Sequence, residues 1–346
     1  MANFMIVVLH AWGAACQYCD PSTLEYGVWT YLGVNSVLAL YALFLLSGYL
    51  FFKGFALARW SGKLARRIRR LVVPYVCWNV VFVLFYLAVA RIFPRIQSRV
   101  DSFGLTTWQG AVSKIVGLLE RPIDYPVWYM RAIFVFALLA PVLWLALRSR
   151  VGRWVGLAVV GAFWVATDVL GWIPDVEAYH AYALLLFYGG GLLAVCGTEG
   201  LRGRGANGLL WAIGLGGFAF DLVEHLGWGS WLCFNGRMMM KMVLFLMLAD
   251  CFGLRGSASD APAPRRTSRV LGPSILGFSF FVYCGHVLFC SMWVHVLGPM
   301  LGAMGTGKMT LLMFAFVVPG LATVGSVYWL GRRFCPRLLR LFDGTL

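Results

Sequence analysis

Apolar residues along this chain come in long unbroken runs rather than at the spaced positions of an amphipathic helix. Ten runs stand out: Met1 to Cys16, Tyr31 to Phe52, Leu71 to Phe93, Val127 to Leu147, Val155 to Trp172, Tyr179 to Cys196, Gly208 to Val223, Arg237 to Leu254, Leu271 to Val294 and Met309 to Leu330. The seventh is short and rich in glycine. A segment crossing a bilayer as a helix needs about 20 mostly apolar residues. Most of the runs meet or approach that length, and short polar segments separate them. The pattern predicts an all-α, polytopic integral membrane protein with about ten transmembrane helices.

Composition closes off the water-soluble alternative. Of 346 residues, 61% are hydrophobic and only 12% charged, with a mean hydropathy of +0.79. A soluble fold of this composition would leave most of its apolar surface in water. The partner of this surface is therefore the lipid bilayer.

Charge orients the helices. With ten spans and both termini cytoplasmic, 20 of the 29 Lys and Arg fall in inside segments, seven of them between Lys53 and Arg70, a stretch without one acidic residue. Asp20, Glu25, Asp175, Glu177, Asp221 and Glu224 then fall in outside loops. This is the positive-inside distribution. It also disposes of nucleic acid as a partner, although the net charge is +15, because the cations flank the membrane in short loops instead of forming one basic face.

The chain reads as a single membrane domain over residues 1–346. Asp260 to Arg269, with APAPRR inside it, reads as a cytoplasmic connector. Arg91 to Pro126 reads as a longer outside loop with an interfacial helix near Thr107 to Leu119. The first run has no basic leader and carries His10 inside it, so a cleaved signal peptide is not expected. Cys16 and Cys19 form a C-x-x-C without a second pair of Cys or His, so no metal site is expected. Nucleotide-binding and G-x-S-x-G signatures are absent.

Ionisable groups at membrane depth are costly and normally face a cavity or a partner. His10, Arg131, Lys241, Asp250, His286 and Asp168 are such groups. His10 lies ten residues into the first run, and an imidazole with an ordinary pKa of about 6.5 suits a general base at neutral pH. A histidine simply satisfied within the bundle is an equal alternative. Arg66 and Arg69 share a helix face, as do Arg67 and Arg70. Either pair suits bidentate capture of phosphate, or serves only to orient the span. Arg131 fits an acceptor-orienting or oxyanion role, or snorkelling toward the interface. Tyr283 and His286 stand three apart on one helical face.

Five strings in order, VVLHA, FLLSGYLFF, RRIRRLVVPY, VWYMR and FVYCGH, together resemble the acyltransferase-3 family of polytopic membrane acyltransferases. Ser47, Gly48, Tyr49, Pro74 and Trp128 belong to those strings. The resemblance implies transfer of an acyl group, most often acetyl, from acyl-coenzyme A to a hydroxyl of an extracytoplasmic or lipid-linked carbohydrate. The donor is a substrate, and no cofactor is permanently bound. It further implies His10 as base or, as the lesser alternative, transient acyl carrier, Arg131 and Tyr283 orienting the acceptor, His286 in a late Y-x-x-H string as a second acid or base, an R-x-x-R pair among Arg66, Arg67, Arg69 and Arg70 for the donor, and residence in the cell inner membrane. An arginine that the family carries eleven positions before its histidine has no counterpart here, where Met1 lies nine positions before His10. The alternative class is a transporter or flippase for a lipid-linked oligosaccharide, which internal repeats would support. No convincing repeat is present.

Overall fold

The structure, a computed structural model, describes residues 2–118, 120–173, 180–197, 208–225, 234–251 and 273–346. The 260–269 connector lies outside them, as does the side chain of Asp250. The described residues are helical and contain no strand. A bilayer imposes this, since each backbone polar group must find its partner within its own segment.

Ten helices coincide with the ten apolar runs: α1 (Ala2–Ala15), α3 (Leu38–Phe52), α5 (Val73–Ile92), α8 (Trp128–Leu147), α9 (Arg150–Trp164), α10 (Ala181–Cys196), α11 (Gly208–His225), α12 (Phe234–Cys251), α13 (Pro273–Met300) and α14 (Lys308–Phe334). Between them lie α2 (Leu24–Ser36), α4 (Trp60–Arg67), α6 (Gln97–Ser102) and α7 (Trp108–Val116), and α15 (Pro336–Asp343) closes the chain. Among the described residues, five segments are long and apolar enough to cross a membrane by length and composition: Leu24–Phe52, Leu57–Ile92, Tyr125–Leu147, Ile275–Met300 and Lys308–Phe334. The second run is longer than its hydropathy indicates, because α2 and α3 follow each other with Val37 still in helical geometry. The interfacial helix of the 91–126 loop is α7, with Thr107 capping it by accepting from the Gly110 amide at 3.1 Å.

Two prolines reshape the helices near the site. Pro141 has no N–H to donate to the Ala137 carbonyl, and Trp60 Nε1 donates to that oxygen instead at 2.8 Å. The amphipathic α4 is thereby tied to α8. Pro74 likewise cannot serve the Arg70 carbonyl, and the turn ahead of it, Ile68–Val72, is a π-helix.

Two cores form. One gathers α1, α5, α13 and α14, the other α3, α8 and α10. Within the second, α3 and α10 cross with backbones in contact. A Cβ at Gly48 would run into the Phe187 carbonyl, and one at Gly190 into the Leu45 carbonyl. Small residues allowing such an approach are how membrane helices associate without a hydrophobic driving force. The two chain ends share one end of the bundle: Asn3 Nδ2 donates to Ser279 Oγ at 2.6 Å, and Trp78 Nε1 donates to the Phe342 carbonyl at 3.1 Å. Arg66 to Arg70 lie at this same end, hereafter the basic end. At the far end, Glu25 accepts from the Gly307 and Thr310 amides, both at 2.7 Å, and so caps α14 from α2.

The outside-loop reading of Asp221 and Glu224 is corrected by the structure. Both lie in α11, and Asp221 is buried between Lys241 Nζ and Arg237 Nε, the latter at 2.8 Å. Arg237 also pairs with Glu224, and Lys241 donates to Asn35 Oδ1 at 2.7 Å. Hydropathy averages over a window and hides a paired charge; it cannot tell a buried ion pair from a loop.

Candidate active site

The two cores meet at Leu71 and Tyr129, which pack against both, and His10 lies with the first. It is half-buried on α1, beside Ala11, Ala14 and Ala15, whose small side chains let neighbouring helices close on this face. Its ring centroid lies 5.0 Å from that of His286 on α13. Nδ1 of His286 sits 2.8 Å from the Tyr283 carbonyl and 3.1 Å from that of Val282. Carbonyls only accept, so Nδ1 carries the proton and Nε2 the lone pair. That Nε2 is buried and has no hydrogen-bond partner among the described residues.

A residue the sequence did not single out completes the arrangement. The Tyr125 hydroxyl is 3.0 Å from His10 Nδ1, and the two rings meet edge to face at 4.9 Å. With Nδ1 engaged by Tyr125, Nε2 is the nitrogen left for proton transfer. Tyr283 contacts neither histidine through its hydroxyl; it donates to the Pro126 carbonyl at 2.5 Å and so holds the turn that carries Tyr125. Arg131 is also a loop anchor. It is 5% exposed, which excludes snorkelling, and Nη1 donates to the Glu120 carbonyl at 2.9 Å. Gly117, at φ +60°, makes room for it: a Cβ there would stand 2.7 Å from the Tyr75 hydroxyl and 3.0 Å from Arg131 Nη1.

Asp124, next to Tyr125, is fully buried, and neither carboxyl oxygen has a hydrogen-bond partner among the described residues. Its amide donates to Asn79 Oδ1 at 3.0 Å. Burial pushes this carboxyl well above the usual carboxylate range. Nothing in the sequence flagged it, because its distinction is the absence of a partner.

At the basic end, Lys63, Arg66, Arg67 and Arg70 line a cavity of about 320 Å³ together with Phe51. Arg69 does not line it. The π-turn at Ile68–Val72 alters the helical register after Arg67, and of the two pairs expected from spacing Arg67 and Arg70 share the cavity while Arg66 and Arg69 do not. The Arg67 guanidinium lies 4.7 Å over the Phe51 ring and within electrostatic reach of the Tyr129 hydroxyl. Tyr129 shares a 2.6 Å hydrogen bond with Ser47, and its ring is 6.3 Å from that of Tyr283. A file of aromatic side chains thus leads from the cations toward the histidines. Tyr49 takes Lys53 against its ring at 5.5 Å, and Trp128 packs on Phe44 and His180. Lys241 belongs to the separate ion-pair network, and Asp168 lies in a π-turn, Val165–Val169, after α9.

The family model for an acyltransferase domain of the acyltransferase-3 type matches residues 1–330. The chain belongs to the acyltransferase-3 family. No curated protein and no solved structure gives a significant match. As a multi-pass acyltransferase of this family, the chain brings the residues of its five strings to distinct tasks. VVLHA and FVYCGH supply the two histidines, VWYMR and FLLSGYLFF join through Tyr129 and Ser47, and RRIRRLVVPY supplies the cations. The sequence missed Tyr125, although it lies within DYPVWYMR, three residues ahead of Trp128.

Proposed function

We propose that this acyltransferase moves an acyl group from acyl-coenzyme A to a hydroxyl of an extracytoplasmic or lipid-linked carbohydrate, as a multi-pass protein of the inner membrane with its basic end in the cytoplasm. The observation carrying the reading is the His10–Tyr125 pair, placed between the cationic cavity and the far half of the bundle. Coenzyme A lays its phosphates on Lys63, Arg66, Arg67 and Arg70, where guanidinium groups form charge-assisted hydrogen bonds. Its thioester reaches His10 along the Tyr129 side of the bundle.

With the Tyr125 oxygen accepting from Nδ1–H, Nε2 of His10 takes the proton of the acceptor hydroxyl as that oxygen attacks the thioester carbonyl. The new C–O bond forms, the C–S bond breaks, and the leaving thiolate takes the proton back from His10. His286, its lone pair on Nε2, is a second neutral acceptor beside the first. Arg131 and Tyr283 act by holding the loop that presents Tyr125.

Purified protein in detergent, given radiolabelled acetyl-coenzyme A, tests the division of labour. His10→Ala should keep donor binding and lose turnover. Changing Arg66, Arg67, Arg69 and Arg70 together to Gln should lose binding. Turnover retained in His10→Ala removes the base from the mechanism.

A further inference from the structure

Between α1, α5 and α13, toward the end of the bundle away from the basic cavity, lies a second cavity of about 480 Å³. Neither histidine lines it. Its link to the chemistry is Tyr125, which forms part of the wall and whose hydroxyl stands 3.0 Å from His10 Nδ1. An occupant is thus one side chain removed from the base.

The wall is divided by polarity. Phe82 and Phe85 on α5 and Val287 and Leu288 on α13 give aromatic and hydrocarbon sides. Gln17 after α1, Arg99 on α6, and Ser291 and His295 on α13 bring hydrogen-bonding groups. Ser291 and His295, four residues apart, share one face of their helix.

The polar groups have a sign. The Tyr18 hydroxyl lies 2.8 Å from His295 Nδ1; with Tyr18 donating, Nε2 carries the proton and is itself a donor. Arg99 stands within electrostatic reach of that ring, and a guanidinium can only donate. Among the described residues lining the cavity there is no carboxylate. Asp101, two residues from Arg99, accepts from Gln97 Nε2 at 2.9 Å, and Asp124 is fully buried outside the lining. Donors that carry positive charge and have no acid beside them are complementary to an anion.

We propose that this cavity holds the acceptor by an acidic group on the glycan, a carboxylate or a phosphate, bound by Arg99 and His295, with sugar rings against Phe82 and Phe85. This rests on the reading of a carbohydrate as acceptor and narrows it to an acidic one. His295 lies nine residues beyond His286, about 14 Å along α13 at 1.5 Å per residue. The acid therefore marks the acceptor at a point remote from the reacting hydroxyl. It selects the glycan without entering the proton transfer.

The test uses the full chain in detergent with coenzyme A or acetyl-coenzyme A saturating, so that the basic cavity is filled. Four tetrasaccharides are compared: alternating N-acetylglucosamine and glucuronic acid, the same compound with its carboxyls methyl-esterified, chitotetraose, and chitotetraose 1-phosphate. Isothermal titration reads binding and radiolabelled acetyl reads transfer. Each acid, or at least one of the two, should bind about tenfold or more tightly than its uncharged counterpart, the usual worth of a charge-assisted hydrogen bond, and which one does so separates carboxylate from phosphate. Arg99 is exposed, so its replacement leaves the core untouched. Arg99→Gln should bring the preference close to unity, and Arg99→Lys should keep most of it. Equal binding of charged and uncharged forms, with transfer proceeding, overturns the acidic subsite and leaves the carbohydrate reading standing. A preference that survives Arg99→Gln overturns it too and places the acid elsewhere. No tetrasaccharide bound or acetylated, with acetyl-coenzyme A still bound, overturns the carbohydrate reading and the subsite with it.

Discussion

The Tyr125 hydroxyl and His10 Nδ1, 115 residues apart in sequence, stand 3.0 Å from each other. The bond fixes which ring nitrogen is left for chemistry. Tyr125→Phe should therefore lower turnover by about tenfold, the worth of one lost hydrogen bond of about 1.4 kcal/mol, with donor affinity unchanged. His10→Ala should cost roughly 10²–10⁴-fold, the usual span for a general base. Equal loss in the two variants would mean that Tyr125 does more than orient the ring.

Tyr283 reaches the same nitrogen at one remove, through the Pro126 carbonyl. Tyr283→Phe should lower turnover less than Tyr125→Phe. In the double variant the second change should add almost nothing, because both remove one geometry. Steady-state kinetics of the four proteins closes the cycle. Full additivity would separate Tyr283 from the Tyr125 turn.

Lys63, Arg67 and Arg70 face the basic cavity and Arg69 does not. Arg67→Gln and Arg70→Gln should each weaken coenzyme A binding roughly tenfold or more, at about 1.5–3 kcal/mol for a hydrogen bond to a charged group. Arg69→Gln should change it less than threefold, an effect confined to screened long-range attraction. Isothermal titration at two salt concentrations distinguishes the two kinds of loss. The reverse order would mean that the π-turn unwinds when donor binds.

Asp221 holds two buried cations, Lys241 and Arg237. Lys241→Met should destabilise the protein by less than Asp221→Asn, because the first leaves Asp221 still paired with Arg237 while the second takes the shared carboxylate from both cations, leaving Arg237 only Glu224 and Lys241 only the neutral Asn35. Breaking a buried pair by removing one partner costs about 3–5 kcal/mol. Thermal unfolding in one detergent, reading the loss of helix, orders the two variants.

The buried carboxyl of Asp124 gives a pH dependence with a definite sign. Its folded pKa is raised, so above the unfolded value of about 3.9 the unfolded chain gives up this proton while the folded chain keeps it. This group's contribution to stability accordingly falls as pH rises, by at most about 1.4 kcal/mol per pH unit until the raised pKa is passed. Asp124→Asn should flatten that fall and be the more stable protein at neutral pH. Denaturation at pH 5 and pH 8 measures it. A wild-type protein that gains stability across this range relative to the variant would place a cation against Asp124.

Some of the site was legible because short strings carried it. His10 and His286 stood out as ionisable groups inside apolar runs, and Arg66, Arg67, Arg69 and Arg70 as cations in a stretch without an acidic residue. Tyr125 and Asp124 did not stand out, since a tyrosine and an aspartate in a loop before a span look like ordinary interfacial residues. Of the two arginine pairings, Arg67 with Arg70 lines one cavity and Arg66 with Arg69 does not. That choice was not legible, because it depends on the π-turn at Ile68–Val72 ahead of Pro74.

The sequence by itself determined the solvent and the helical character of the apolar runs, because transfer of apolar side chains into lipid adds up residue by residue along a run. Tertiary structure alone decided which polar groups meet. It turned Arg131 inward to Glu120, paired Lys241 with Asp221, and brought Tyr125 to His10. Such pairings depend on how each helix is rotated about its axis and how closely its neighbours approach, as at Gly48 against Phe187. A one-dimensional average of hydropathy holds neither quantity.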